Sequence, residues 1–407
     1  MTRLDPLRVC LYSGLNVAAD AISNAVRLKL QVLGDLRDEG FPVEAWAFVQ
    51  GTDDPDPRVI GAPTAFDVIG NPRFGAADLH LFEFGIAYEL FDLIFLTQGL
   101  APTGAMYHNV TPVELVSETN RASIERSLRQ RYNLFAAHHV ACVSELNRRD
   151  LVAIGIPADR LSVSPLPPAI VASEPRTSFA AAEPGPLRLL FVGRLVRAKG
   201  VLDLLEAVAA ALVTPAAPEL HLTIVGNEQL SEPEVADEVR RRLAEPPLAG
   251  RAEFAGRVDD DALGRLYARS DVLVMPSYHE GYCVPVVEAL SAGAYVVAYD
   301  AANLPFVVDG LGSLVPAGDV DGLRTVLVDL AARFAAAHRS GAGVVLPAAG
   351  GELQESAWRA RVRDHVADYS FPAFRRRFVE QLALLASLRP DGAPSWLAEA
   401  AGAAVVR

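Results

Sequence analysis

A chain of 407 residues, half of them hydrophobic (51%) and a fifth charged (21%), holds enough apolar material for two ordinary domains with cores of their own. Its formal net charge of −13 argues against nucleic acid as a partner, because phosphate binding on that scale needs a basic face. The three cysteines, Cys10, Cys142 and Cys283, are widely spaced and fit no metal-ligand pattern, which excludes a disulfide scaffold and suits free thiols in a reducing, cytoplasmic compartment.

The opening MTRLDPLRVCLYS lacks the charged-then-apolar outline of a signal peptide, and no run of about 18 apolar residues predicts a membrane span. Lysine occurs only at Lys29 and Lys199, in a chain that otherwise uses arginine, so each surviving lysine marks a position to question. Residues 7–13 read as a first strand, turned by Gly14. Residues 17–39 carry helical periodicity through Ala21, Ala25, Leu28, Val32 and Leu36, Gly40 ends them, and 41–49 form the next strand. This strand–glycine–helix–strand opening suits a Rossmann-like domain, but SGLNVAAD is not G-x-G-x-x-G, which disfavours a nicotinamide-dependent oxidoreductase.

Residues 50–75, rich in Gly, Pro and Asp, read as a long loop with one short strand. Apolar segments follow at 78–82 and 91–96, the second without an assigned state. Residues 105–110 predict a strand ending in a polar tip, Tyr107-His108-Asn109. Residues 118–136 predict a helix bearing Arg121, Arg126, Arg129 and Arg131. A solvated face is the favoured reading; the sharper one is a patch that makes peripheral contact with anionic lipid. A strand at 139–143, a helix at 145–154 and a strand at 161–165 complete the first half. Six prolines between Pro165 and Pro186, without periodicity, predict an interdomain linker. The alternation then restarts: strands at 187–192, 220–225, 252–254, 272–275 and 294–299, with helices at 201–212, 232–244, 260–268 and through 290. A further helix is expected at 374–388.

Two stretches carry chemistry. FVGRLVRAKG (191–200) places Gly193 at a strand end, then two cations five residues apart, Arg194 and Lys199, then a helix. VLVMPSYHEGYCVPVVEALSAG (272–293) runs from a buried strand through a loop to a helix opened by Pro285 and closed by Gly293. It carries Glu280 in the loop and Glu288 a turn into the helix, and the N–H groups of Tyr282, Cys283 and Val284 stand at the positive end of the helix dipole. That arrangement suits a phosphate flanked by hydroxyl groups.

Glu280-x7-Glu288 resembles the paired-glutamate motif of the family-4 retaining glycosyltransferases, and GRLVRAKG resembles the G-R-L-x-x-x-K-G segment of the same family. The resemblance implies an α/β GT-B fold: two facing Rossmann-like domains, here 1–170 and 187–371 joined by a linker at 171–186, with 372–407 crossing back to the first. It implies that Arg194 and Lys199 grip a donor diphosphate, that Glu280 binds hydroxyls of the transferred sugar, that Gly281, Tyr282, Cys283 and Val284 belong to the donor site, and that Glu288 accepts from the ribose diol. Gly226-Asn227 resembles the V-G-(D/N)-G turn, with Glu228 replacing its second glycine. Gly256-Arg257-Val258 resembles the turn whose backbone meets the nucleobase. Tyr107-His108-Asn109 with Thr111-Pro112 resembles the H-N-(I/V)-T-P segment of a bacterial envelope-polysaccharide branch, which implies a place for His108 beside the donor sugar; Gly14 would lie under donor and acceptor. Two departures stand out. Cys283 occupies a position where many relatives have glycine, and Phe306 follows Pro305 where glutamate is common.

The implied activity is retaining transfer of a sugar from a UDP- or GDP-sugar to a hydroxyl acceptor (a glycan, a lipid-linked sugar or a small molecule), with no cofactor and no metal. The competing readings are a GT-B sugar-nucleotide epimerase, which would need no acceptor, and a non-catalytic nucleotide-sugar-binding protein.

Overall fold

In the computed structural model, residues 5–17, 21–170, 172, 174–179, 185–214 and 218–403 are described. The chain divides into two units, Met1–Pro167 with Ser370–Arg407, and Pro168–Tyr369. Among the described residues no helix is long and apolar enough to cross a membrane.

The first unit is built on seven strands: β1 Leu7–Asn16, β2 Val43–Thr52, β3 Val59–Gly61, β4 Leu79–Phe84, β5 Thr103–Tyr107, β6 His139–Cys142 and β7 Leu161–Val163. All pair in parallel, in the order β3-β2-β1-β4-β5-β6-β7. Helices return the chain between parallel strands and cover the sheet. One layer of the core is aromatic, with Tyr12 stacked on Phe82 at 4.4 Å and Phe84 on Phe91 at 4.3 Å. The C-terminal helices Phe371–Ala386 and Trp396–Ala403 complete this unit. Phe374, Phe378, Leu382 and Leu385 are buried. Trp396 stacks on Phe41 at 5.3 Å, and Arg375 pairs with Glu39 at 2.6 Å.

Three sequence expectations change here. Gly14 does not turn the chain. β1 runs on to Asn16, because Leu15 and Asn16 pair with Gly51 and Thr52 of an equally extended β2. The stretch 50–75 is not one long loop. Thr64 and Asp67 form a reciprocal capping box on the short helix Ala65–Ile69, and Asn71 caps Pro72–Gly75, so side chains satisfy the exposed helix ends. The predicted helix 118–136 is α-helical over Glu118–Gln130 and tightens to a 3-10 turn over Arg131–Ala136.

The second unit holds β8 Leu187–Val192, β9 Leu220–Val225, β10 Ala252–Gly256, β11 Val272–Met275, β12 Tyr295–Asp300 and β13 Ser313–Pro316. The order is β10-β9-β8-β11-β12-β13, again all parallel, which is the Rossmann order. A hairpin of β14 Val345–Ala348 and β15 Gly351–Gln354 follows the long helix Val320–Ser340. The proline-rich stretch is less free than the sequence suggests. Arg176 forms an ion pair with Asp271, its backbone N–H donates to Ala292 O at 2.9 Å, and Phe179 is fully buried against Phe334 and Trp358. Described residues 174–179 therefore belong to the packing of the second unit.

Candidate active site

In an open parallel sheet, the loops leaving the carboxyl ends of adjacent strands part where the strand order reverses, and ligands bind there. In the second unit that point lies between β8 and β11. β8 ends at Val192 and passes through Gly193 and Arg194 to a single helical turn, Arg197–Lys199, closed by Gly200 in the left-handed region at φ 64°. A Cβ on Gly200 would stand 1.9 Å from the carbonyl oxygen of Pro276, so only glycine lets the loop after β8 touch the loop after β11. Tyr278 N–H donates to Ala198 O at 2.9 Å and fastens the same pair of loops.

That contact delivers Lys199 to Glu280, Nζ to Oε1 at 2.5 Å, with both side chains largely withdrawn from solvent. One of three ammonium donors is used there, and the others remain for further oxygens. Arg194 is exposed, and its guanidinium makes no hydrogen bond or ion pair with the described residues. Gly226, at the end of β9, approaches the Gly193 carbonyl so closely that a Cβ would lie 2.3 Å from it. Gly226 N–H donates to Gly256 O, and the Asn227 side chain accepts from Gln229 N–H, both at 3.0 Å. Val258 is half-buried just beyond β10. Gly193, Lys199, Gly226, Asn227 and Glu280 thus come together at one sheet edge.

The loop from Glu280 to Val284 is held from below by Asn303. Its backbone N–H donates to Glu280 O at 3.2 Å and its Nδ2 to Tyr282 O at 2.9 Å, while Asn303 itself is buried. Cys283 begins the helix Val284–Ala292 in the left-handed region at φ 72°, which accounts for the preference for glycine at this position. Burial, with the neighbouring Glu280 charge, pushes its thiol well above the ordinary range, so it stays protonated and is a poor nucleophile. Gly281, Tyr282, Cys283 and Val284 line the approach to the helix N-terminus, where the first N–H groups lack intrahelical acceptors.

Glu288 behaves differently from the expected open carboxylate. It is 6% exposed; Oε1 accepts from Ile170 N–H at 3.1 Å and Oε2 from the Tyr267 hydroxyl at 2.8 Å. It is not part of the Lys199–Glu280 hydrogen-bonded set. Burial raises its pKa to about 7.

In the first unit, His108 follows β5, and its backbone N–H donates to Phe84 O at 2.8 Å. Its Nε2 bonds Oε2 of Glu83 at 2.8 Å, and the other Glu83 oxygen is ion-paired with Lys29. Burial works to raise the Glu83 pKa, but the Lys29 charge and the His108 hydrogen bond outweigh it and hold the carboxyl below its usual value. Gly14, Ser13, Gln50, Glu83, Glu89 and Arg126 share the wall of a cavity of about 450 Å³. Of the arginines on helix Glu118–Gln130, Arg126 donates to Ala87 O at 3.0 Å.

Sequence reasoning missed Glu83 and Asn303, and named Gly200 only as the end of the GRLVRAKG motif. Glu83 had a signal: an acid inside the strand LHLFEF, which is apolar but for His80. Lys29 had one too, since it falls on the stripe of Ala25, Val32 and Leu36 that the helix buries. Among the described residues no cluster of three or more His, Cys, Asp or Glu could hold a metal ion.

Two Rossmann-like units with loop-built sites at their switch points, the first completed by the C-terminal helices, define the GT-B fold. The fold matches a sucrose-phosphate synthase from Thermosynechococcus elongatus, with a TM-score of 0.66 at 20% identity over 94% of this chain and 99% of that one. It also matches the Anabaena protein HepE in complex with UDP, with a TM-score of 0.63 at 17% identity over 93% of this chain and 100% of that one. Residues 186–333 match the family described as Glycosyl transferases group 1. Over 144 residues the chain is 31% identical to a D-inositol 3-phosphate glycosyltransferase of Corynebacterium kroppenstedtii. That stretch is 35% of this chain and 29% of the relative's length. Together these likenesses show the GT-B fold and a similarity of residues 186–333 to the group 1 glycosyl transferases.

Proposed function

We propose that the chain transfers a sugar from a nucleoside-diphosphate sugar to a hydroxyl acceptor with retention of configuration, in the synthesis of a glycan or glycoconjugate. The observation that carries this reading is the Lys199–Glu280 pair at the β8/β11 switch point, inside the stretch that resembles the group 1 glycosyltransferases. Departure of a nucleoside diphosphate builds negative charge on a phosphate oxygen. Lys199 and Arg194 are the side chains that meet it, one as a compact charge and one as a planar fork, with the helix N-terminus at Val284 beside them. Glu280 accepts from hydroxyls of the transferred sugar, and its bond to Lys199 fixes both groups before the donor arrives.

Retention through a covalent intermediate would need a carboxylate free to attack, with a second about 5 Å away. Glu280 is engaged with Lys199, and Glu288 is buried between Ile170 and Tyr267. We therefore favour attack by the acceptor from the face the diphosphate leaves, with a phosphate oxygen taking the hydroxyl proton. His108 attends the transferred sugar. Cations in place of a metal make the reaction metal-independent. The UDP bound in the structure of HepE supports a UDP-sugar as the first donor to try.

The test is thermal unfolding with UDP, GDP, ADP and their sugar conjugates in EDTA, on the wild type and Lys199→Ala. A ligand specific to the folded state at a hundredfold excess over Kd stabilises it by about 2.7 kcal/mol. One nucleotide is expected to stand out, and Lys199→Ala to abolish its effect. Binding by none of them, or only after Mg²⁺ is added, would overturn the reading of this site.

A further inference from the structure

Lysine survives at two positions in this chain, and each is ion-paired with a glutamate at the carboxyl edge of a parallel sheet. Lys199 is accounted for by the donor. Lys29 is not: it is 2% exposed, on the buried face of helix Ala21–Asp38, and reaches no ligand. A buried ammonium persists only when paired and hydrogen-bonded. Its partner Glu83 is wholly buried, and Glu83 spends its second oxygen on His108.

The charges in this set decide what His108 is. Glu83 carries one negative charge and Lys29 one positive charge, so the set is balanced with an uncharged imidazole. No other cationic side chain of the described residues pairs with Glu83. Tyr88 feels the Glu83 charge; burial and that charge both drive its phenol well above the usual range, so it stays neutral. From the C-terminal helix the Phe378 ring faces Lys29, 5.8 Å from Nζ, and brings no charge of its own. Without Lys29, the buried carboxylate would have only His108 to neutralise it.

We propose that Lys29 and Glu83 are positioning residues for His108: they fix its ring with the proton on Nε2 and keep it uncharged. This rests on the role given to His108 above. Glycosyl transfer passes through an oxocarbenium-like centre, and an imidazolium beside the sugar would oppose that positive charge. An uncharged ring with its Nε2 proton committed to Glu83 keeps Nδ1 as an acceptor. Lysine suits the task because its compact ammonium has to lie within the buried helix face, where a planar guanidinium would need more room.

The experiment is ¹⁵N spectroscopy of the histidine rings in the full chain at pH 7, with His108 assigned by its loss in His108→Gln. The wild type is expected to show a neutral His108 ring protonated at Nε2. Lys29→Met is expected to show a doubly protonated ring at the same pH, and Lys29→Arg, where it folds, a neutral one. In Glu83→Gln the anchor is neutral and the single tautomer is expected to give way to a mixture, which tests the idea even if Lys29→Met fails to fold. With the donor identified as above, kcat of Lys29→Met should fall roughly tenfold to a hundredfold, the usual range for partners that orient a functional histidine, with donor KM unchanged. An imidazolium in the wild type, or one ring state throughout the series, overturns the proposal. So does a ring that changes state while kcat does not. None of these outcomes touches the donor reading, which stands or falls on nucleotide binding at Lys199.

Discussion

At Glu288, burial and function pull in different directions. The carboxyl is lifted to about 7 from an ordinary 4.5, chiefly by desolvation, although Tyr267 and Ile170 both donate to it. A raised value means the folded protein binds this proton more tightly than the unfolded chain does. Its contribution to stability is therefore complete below pH about 4.5 and is lost as the pH rises through about 7. The full span is on the order of 3 kcal/mol. Urea unfolding of the wild type should show that decline across pH 4.5–7, and Glu288→Gln should lose it. The slope is the quantity to read, because the amide leaves one of the two donors without an acceptor and so lowers stability at every pH. Parallel curves for the two proteins would sink the assignment. Cys283 and Gly200 belong to the same scale. Both sit at positive φ where loops converge on Lys199 and Glu280; at Gly200 the Pro276 carbonyl excludes any side chain, whereas Cys283 adopts the conformation with one.

Among the elements, strands buried on both faces were the most legible. Residues 272–275 are a continuous apolar run, 187–192 is broken only by Arg188 and 220–225 by His221 and Thr223, each is followed by Gly or Pro, and the structure gives β8, β9 and β11 those bounds. The motif residues that leave them were legible for the same reason, since a strand end fixes where Gly193 and Glu280 fall. Elements held by side chains acting across the fold were not. Nothing local marks Glu83 as the acceptor of both Lys29 and His108, because 54 and 25 residues separate the partners. Nor does the Ala- and Pro-rich stretch around Phe179 announce a helix or strand. Yet Phe179 meets Phe334 edge-on at 4.8 Å, lies 4.5 Å from the Arg359 guanidinium, and its N–H donates to Glu355 Oε1 at 2.7 Å. Phe179→Ala should lower the stability of the second unit by about 3–5 kcal/mol in denaturant unfolding, the usual cost of emptying a packed aromatic site. A loss below about 1 kcal/mol would mean that the segment is the loose tether its composition suggests.

On the scale of the molecule, the two units differ in how the chain builds them. The second, Pro168–Tyr369, is one continuous stretch that holds Arg194, Lys199, Glu280 and Glu288. The first needs both ends of the chain: Phe374, Phe378, Leu382 and Leu385 are buried, Gln381 reaches Ala105 O, and Arg389 pairs with Asp78 at 2.8 Å. Continuity predicts autonomy, because a compact unit with its own core and a single entry and exit can fold alone. A fragment of residues 168–369 should unfold cooperatively and bind the same nucleotide as the full chain, by calorimetry, with comparable affinity. A fragment ending at 369 but beginning at 1 should keep that binding while losing the cooperative transition of its first unit, since removal of the C-terminal helices uncovers the face that carries Gly104 and His139. If 168–369 folds but binds no nucleotide that the full chain binds, then groups outside it hold the diphosphate. The roles given to Arg194 and Lys199 would then have to be reassigned.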